Sequence, residues 1–202
     1  MAARIVLFDL GKVVLDWDPA RLYSKIFNTP QERDAFLSDI CTMSWHTRHD
    51  AGLGFAENAE ELMREHPEYE AEIRAWGGRW MEMFDGYVEG TPDLIARLDA
   101  RDVPLFALTN MPSETWPLMV QHFPLVETFR HVFVSGDLEM VKPDPAIYQH
   151  VLQKVGAVAP SDVLFIDDSV KNVEAANALG IRTHHFSGAA GLEAALVAEG
   201  LL

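Results

Sequence analysis

Ile5-Val6-Leu7-Phe8-Asp9-Leu10-Gly11 decides the fold. Four apolar residues stand in a row with no polar alternation, which is the pattern of a short strand buried on both faces, as in a parallel sheet. The run stops at an aspartate and a turn. Runs of the same kind recur along the chain. Residues 103–108 end in Thr109-Asn110, and 131–134 end in Ser135-Gly136-Asp137. Residues 163–166 end in Asp167-Asp168, and 181–186 form a fifth run. Helical patterns separate the later runs, over about 91–101, 113–122, 144–156, 170–179 and 189–199. Thr91-Pro92-Asp93 reads as a helix start, a capping residue followed by proline at the first helical position, and Gly180 as a helix stop. Strands alternating with helices predict an α/β protein with a Rossmann-like parallel sheet and helices on both faces.

The first interval breaks the pattern. About ninety residues separate Asp9 from the next core strand, where one crossover needs only a dozen or more. The excess reads as helical: Thr29-Pro30-Gln31-Glu32 is a capping box opening a helix to about 42, and further helical stretches run near 55–65 and 68–83. The expected organisation is a core domain of residues 1–16 and 89–202 with an inserted helical cap subdomain at 17–88. A cap inserted there would sit over the C-terminal ends of the strands, where open α/β sheets bind ligands.

Composition narrows the partners. The 202 residues are 49% apolar and 23% charged, ordinary for a chain that buries a core. A net charge of −15 repels phosphate backbones and argues against nucleic-acid or anionic-membrane binding. It leaves room for a small anionic substrate, because a metal ion and one lysine reverse the field locally. The single cysteine, Cys41, rules out an intrachain disulfide and suits a reducing compartment. The opening lacks a basic stretch followed by an apolar core, and nothing approaches a transmembrane span. The expectation is a soluble cytoplasmic protein, and the oligomeric state is left open.

The strand ends carry the chemistry. Asp9, Thr109, Lys142 and the pair Asp167-Asp168 all lie at or just after strand ends, which a doubly wound sheet brings to one crevice. Alone, Asp9, Thr109 and Lys142 read as ordinary turn, cap and loop residues, whereas adjacent acids at a buried strand end, as in Asp167-Asp168, already need compensation. Together they suit phosphoryl transfer. Carboxylates crowded at one point repel each other, and Mg²⁺, with its preference for oxygen, relieves that repulsion and neutralises a transferring phosphoryl group. A carboxylate can attack phosphorus and form an aspartyl-phosphate that water later cleaves. A lysine offsets charge beside the nucleophile, and a threonine hydroxyl can bond a phosphoryl oxygen.

Phe8-Asp9-Leu10-Gly11-Lys12-Val13-Val14, Leu108-Thr109-Asn110, Lys142-Pro143-Asp144-Pro145-Ala146-Ile147-Tyr148 and Phe165-Ile166-Asp167-Asp168 through Asn172 resemble the four motifs of the haloacid dehalogenase superfamily. The Asp-Leu-Gly opening looks most like the bacterial branch that includes the α-glucose-1-phosphate phosphatases. The resemblance implies a Mg²⁺-dependent phosphatase acting on a small phosphorylated metabolite, such as a sugar phosphate. Asp9 would be nucleophile and metal ligand, the Gly11 carbonyl a second ligand, Asp168 a direct ligand and Asp167 a helper through water. Thr109 and Lys142 would bind the phosphoryl group, with Asn110 and Asn172 in supporting roles. One position departs. Most phosphatases of the superfamily carry an acid two residues after the nucleophile, and here that position is Gly11. A dehalogenase or phosphonate hydrolase on the same scaffold, or a non-catalytic phosphometabolite-binding protein, therefore stays open. Such phosphonate hydrolases use a cap lysine, and the insert offers only Lys25.

Within the insert, Trp76, Trp80 and Phe84 fall at i, i+4 and i+8, which predicts one core-facing helix stripe. Trp45-His46-Thr47-Arg48-His49-Asp50 is dense in donors and acceptors. It reads either as a reader of sugar hydroxyls, His46 foremost, or as a solvated helix end. His184-His185 reads as structural, since no matching ligand set accompanies it.

Overall fold

A computed structural model describes residues 3–202. Seven strands are present among them: β1 Ile5–Phe8, β2 Leu15–Trp17, β3 Phe84–Tyr87, β4 Leu105–Thr109, β5 His131–Val134, β6 Val163–Asp167 and β7 Arg182–His185. Five of them form one sheet in the order β5-β4-β1-β6-β7, and every pairing in it is parallel. The α/β expectation holds.

The apolar runs are continuous because both faces are covered. Val6 and Phe8 point into one buried cluster, with Leu94, Ile95, Leu98, Met119, Leu192 and Leu196. Ile5 and Leu7 point into the other, with Ile147, Tyr148, Val151 and Ala176. That is the period-two alternation of a strand. The first face is therefore packed by α6 (Thr91–Asp99), α7 (Trp116–His122) and α11 (Ala189–Ala198), the second by α9 (Pro145–Lys154) and α10 (Val170–Ala178). A one-turn helix, α8 (Ser135–Leu138), follows β5 directly.

Five helices lie between β2 and β3: α1 Pro19–Tyr23, α2 Pro30–Asp39, α3 Met43–Asp50, α4 Phe55–Glu65 and α5 Glu70–Gly78. The two strands pair antiparallel, Leu15 with Tyr87 and Trp17 with Phe84, and so close the base of the helical segment. The capping box forms as read: Glu32 N donates to Thr29 Oγ1 and Thr29 N donates to Glu32 Oε2.

Two local expectations fail. The helix read over 68–83 breaks after Gly78; residues Trp80–Met83 make a 3₁₀ turn, and Phe84 starts β3. Gly77 packs so close to Phe55 that a β-carbon there would lie 2.9 Å from the ring. Trp76 and Trp80 are still buried, but the stripe does not belong to one helix. At α6, Thr91 is the first helical residue rather than the cap, and its Oγ1 is buried without a partner. Gly90, at φ 79°, takes the capping position.

Candidate active site

All five sheet strands run the same way, so their C-terminal ends share one edge. Asp9 N donates to Ile166 O at 2.8 Å, which sets Asp9 level with Asp167 at the end of β6. Thr109 ends β4 on the other flank of β1 and is buried. Lys142 arrives from the loop after α8. Its backbone is clamped by Asn110: Lys142 N donates to Asn110 Oδ1 at 2.9 Å, and Asn110 Nδ2 donates to Lys142 O at 3.0 Å. Lys142 Nζ then reaches Asp9 Oδ1 at 2.9 Å, Asp167 Oδ2 at 2.7 Å and Leu108 O at 3.0 Å. The amide of Asn110 thus holds the lysine backbone, a supporting role, and the residue also borders the cleft.

Asp167 is sealed, and its carboxylate is fully engaged. Besides Lys142 it accepts from Asn172 Nδ2 at 3.0 Å on both oxygens and from Ser169 N at 2.8 Å. Asp168 is half-buried and lines the cleft above Asp9, a space of about 220 Å³ also walled by Gly11, Lys12, His46, Asp50 and Lys142. His185 Nε2 donates to the Asp168 backbone carbonyl at 2.9 Å, a structural use of that histidine.

The electrostatics call for a cation. Asp9, Asp167 and Asp168 each offer an oxygen, and these lie within 4.8 Å of one another; they are the one such group among the described residues. Burial, opposed by Lys142 and reinforced by Asp167 and Asp168, pushes the pKa of Asp9 up to about 8. Burial and Asp167 also raise that of Asp168, against Lys12 and Lys142. Burial works to lower the pKa of Lys142, but Asp9 and Asp167 outweigh it and the shift is upward, so the ammonium stays charged. One ammonium does not balance three carboxylates. An all-oxygen donor set with excess negative charge fits a hard divalent ion, whose charge would return Asp9 to its ionised form.

The insert supplies the opposite wall. His46 is buried, stacks on Trp17 with ring centroids 5.5 Å apart, and borders a smaller cavity beside Gly11, Thr109 and Asn110. Of its neighbours in sequence, Arg48 is solvent-facing and paired with Glu61. His49 is buried against Asn58 and Leu53, away from the cleft. So the cluster is neither a solvated helix end nor a joint reader of substrate; His46 alone of the three basic groups reaches the site. Lys25 pairs with Glu82 on the surface and lines neither space. Among the charged cleft residues, Lys12 carried no role in the sequence, and Asp50 appeared there only as a member of the Trp45–Asp50 cluster. Lys12 stands in the first motif, in the left-handed conformation with φ 59°.

The family model for haloacid dehalogenase-like hydrolases matches residues 3–180. A sesquiterpene phosphatase from Aspergillus oryzae is 30% identical over 94 residues, covering 46% of this chain and 47% of that protein. A phosphoglycolate phosphatase from Pseudomonas aeruginosa is 32% identical over 93 residues, covering 46% of this chain and 34% of its own length. The matches thus span half or less of these curated relatives. A HAD family enzyme from Bacteroides thetaiotaomicron, solved with magnesium and inorganic phosphate, superposes with a TM-score of 0.67 at 22% identity, covering 92% of this chain and 95% of that one. No helix of the described residues is long and apolar enough to cross a membrane.

Proposed function

This chain belongs to the haloacid dehalogenase-like hydrolase family, and we propose that it is a Mg²⁺-dependent phosphatase acting on a small phosphomonoester. The observation that carries the reading is the convergence of Asp9, Asp167 and Asp168 around the Lys142 ammonium at one sheet edge. Relatives named as phosphatases and a like-folded enzyme holding magnesium with phosphate support it.

Asp9, Asp168 and the Gly11 carbonyl would hold the ion, with Asp167 helping through water. When bound, the ion neutralises the crowded carboxylates and the transferring phosphoryl group. The rest belongs to the protein. An oxygen of Asp9 attacks phosphorus, the bond to the leaving oxygen breaks, and an aspartyl-phosphate forms. Lys142 fixes the nucleophile and offsets charge on the phosphoryl oxygens. The Thr109 hydroxyl donates to one of them. Water then cleaves the acyl phosphate and frees Asp9. Residues 17–88 act as a cap, and the leaving group lies against Trp17, His46, Trp80 and Phe84, which border the smaller cavity. A flat face of rings beside polar edges suits a sugar or another small ring.

Phosphate release from an aryl phosphate tests the reading. It should require Mg²⁺, stop with a chelator, and vanish in Asp9→Asn while the folded signal persists. Metal-free chloride release from a 2-haloacid, with no phosphate release, would replace this reading with dehalogenation.

A further inference from the structure

Gly11 leaves the loop beside the nucleophile without an acid, yet ester cleavage in the reaction read above needs a proton for the leaving oxygen. The neighbouring acids of the ribbon are committed elsewhere. Asp16 pairs with Arg21 at 2.6 Å, and Asp18 caps α1 by accepting from Ala20 N. Asp9, Asp167 and Asp168 form the carboxylate cluster. One carboxyl in the cleft remains, Asp50, the last residue of α3.

Asp50 is 4% exposed. Its Oδ1 is sealed without a hydrogen bond among the described residues, and the nearest basic atom is His46 Nε2 at 3.4 Å. Its position is fixed from the core side. Ser135 Oγ donates to the Asp50 carbonyl at 2.7 Å, and the same oxygen accepts from Met111 N at 2.9 Å. The end of α3 is thereby tied to the strand ends that carry Thr109 and Ser135. A buried carboxyl with no hydrogen bond to its Oδ1 is pushed towards its protonated form, and a protonated carboxyl lining the reaction cleft can supply a proton. The surrounding ionisable groups are His46 and His49 on its own helix, Asp137 and Glu139 at the end of α8, and Lys12, Asp9, Lys142 and Asp168 around the cleft. Burial raises the Asp50 pKa to about 7, and of these groups Lys142 pulls it back.

We propose that Asp50 is the general acid and base of this hydrolysis, supplying from the insert the proton that Gly11 cannot supply from the loop. As Asp9 forms its bond to phosphorus, the electron pair of the breaking bond stays on the leaving oxygen. The Asp50 hydroxyl proton goes to that oxygen, giving a neutral alcohol and the Asp50 carboxylate. In the second half, a water oxygen bonds to phosphorus, its proton passes to Asp50, and the pair of the breaking acyl phosphate bond returns to Asp9. The cycle closes with phosphate released and Asp50 protonated again. The role rests on the phosphatase reading.

The test compares leaving groups with the Mg²⁺-loaded protein by rapid mixing. Aryl phosphates such as p-nitrophenyl phosphate leave as stable anions; alkyl phosphates need the proton. In Asp50→Asn, turnover of an alkyl phosphate should fall by about a hundred- to ten-thousandfold. The first-turnover release of p-nitrophenol should fall by far less, and phosphoenzyme should accumulate because dephosphorylation is slow. That burst also reports that the variant is folded. Gly11→Asp placed in Asp50→Asn should restore alkyl turnover. The position admits a side chain, having no atom within 4 Å of a β-carbon and a φ outside the left-handed region. In the native protein, alkyl turnover should fall on the alkaline side while the aryl burst does not, a check that needs no variant. Equal loss of burst and alkyl turnover, or no loss of either, overturns the role of Asp50. Absence of phosphate release from any phosphomonoester by the native protein overturns the phosphatase reading itself, and this role with it.

Discussion

Replacing Lys142 by methionine keeps the volume of the side chain and removes the one ammonium in contact with Asp9 and Asp167. The lysine side chain is 1% exposed, and its ammonium meets Asp9, Asp167, the Leu108 carbonyl and, at 5.5 Å, the Phe165 ring. Asp167, at 0% exposure, keeps its bonds from Asn172 and Ser169 but loses its counter-charge. The Leu108 carbonyl loses a donor, at about 1–3 kcal/mol for a buried polar group left unmade. Removing one partner of a buried ion pair costs about 3–5 kcal/mol in total, which for a chain of this size lowers Tm by about 6–20 °C. Thermal unfolding in a chelator at neutral pH measures it. Lowering the pH should narrow the gap between native and variant, because a protonated carboxyl no longer needs the ammonium. Added Mg²⁺ should also recover part of the loss, since a cation among the carboxylates offsets the same charge. A Tm in chelator within about 2 °C of the native value, too small for even a 1–2 kcal/mol effect, would refute the view that Lys142 holds the carboxylates together.

Two further outcomes follow from the packing. A β-carbon on Gly136 would lie 2.6 Å from Ser113 N and 3.0 Å from Met111 O; backbone atoms cannot step aside, so Gly136→Ala should cost about 1–3 kcal/mol, read as a lowered Tm. His49 is held neutral in the fold, its pKa lowered to about 4 chiefly by burial. The unfolded imidazole gains a proton that the folded one refuses, so stability is lost as pH falls from about 6.5 towards 4, by about 2 kcal/mol. His49→Gln should shrink that acid limb in chelator without abolishing it, because His46 is depressed in the same sense, to about 3. An acid limb of unchanged steepness would contradict the burial of His49. Asp50 titrates in the opposite sense and is untouched by the change.

The central strands β1, β4 and β6 were legible because a strand covered on both faces has no polar residue until its end, and a polar residue at that end is then conspicuous. Asp9, Thr109 and Asp167 each terminate such a run. The insert was harder. His46, His49 and Asp50 look solvated in sequence, yet Trp17, Trp45, Trp76 and Trp80 enclose the histidines. Trp17, Trp76 and Trp80 come from far along the chain, so no local pattern announces their contacts. The same holds for the β2–β3 pair, whose strands are short and flank the whole insert. Asn110 was found at the right place, but its clamp on the Lys142 backbone was not legible, because the loop that brings Lys142 to it is joined only in three dimensions.

The position of Asp50 makes the chemistry depend on how the insert is seated. An acid two residues after the nucleophile would ride on the core loop, and its distance to phosphorus would not change if the insert moved. An acid at the end of α3 reaches the cleft only while α3 lies against the strand ends, held there by the Ser135 hydroxyl through the Asp50 carbonyl. The Asp9–Lys142 pair belongs wholly to the core. On this reading, phosphoryl transfer to Asp9 from a good leaving group tolerates a displaced insert, whereas transfer from an alcohol does not. Substrate selection and proton supply are then one event: a leaving group that fits against Trp17 and His46 seats the insert, and the seated insert delivers the proton.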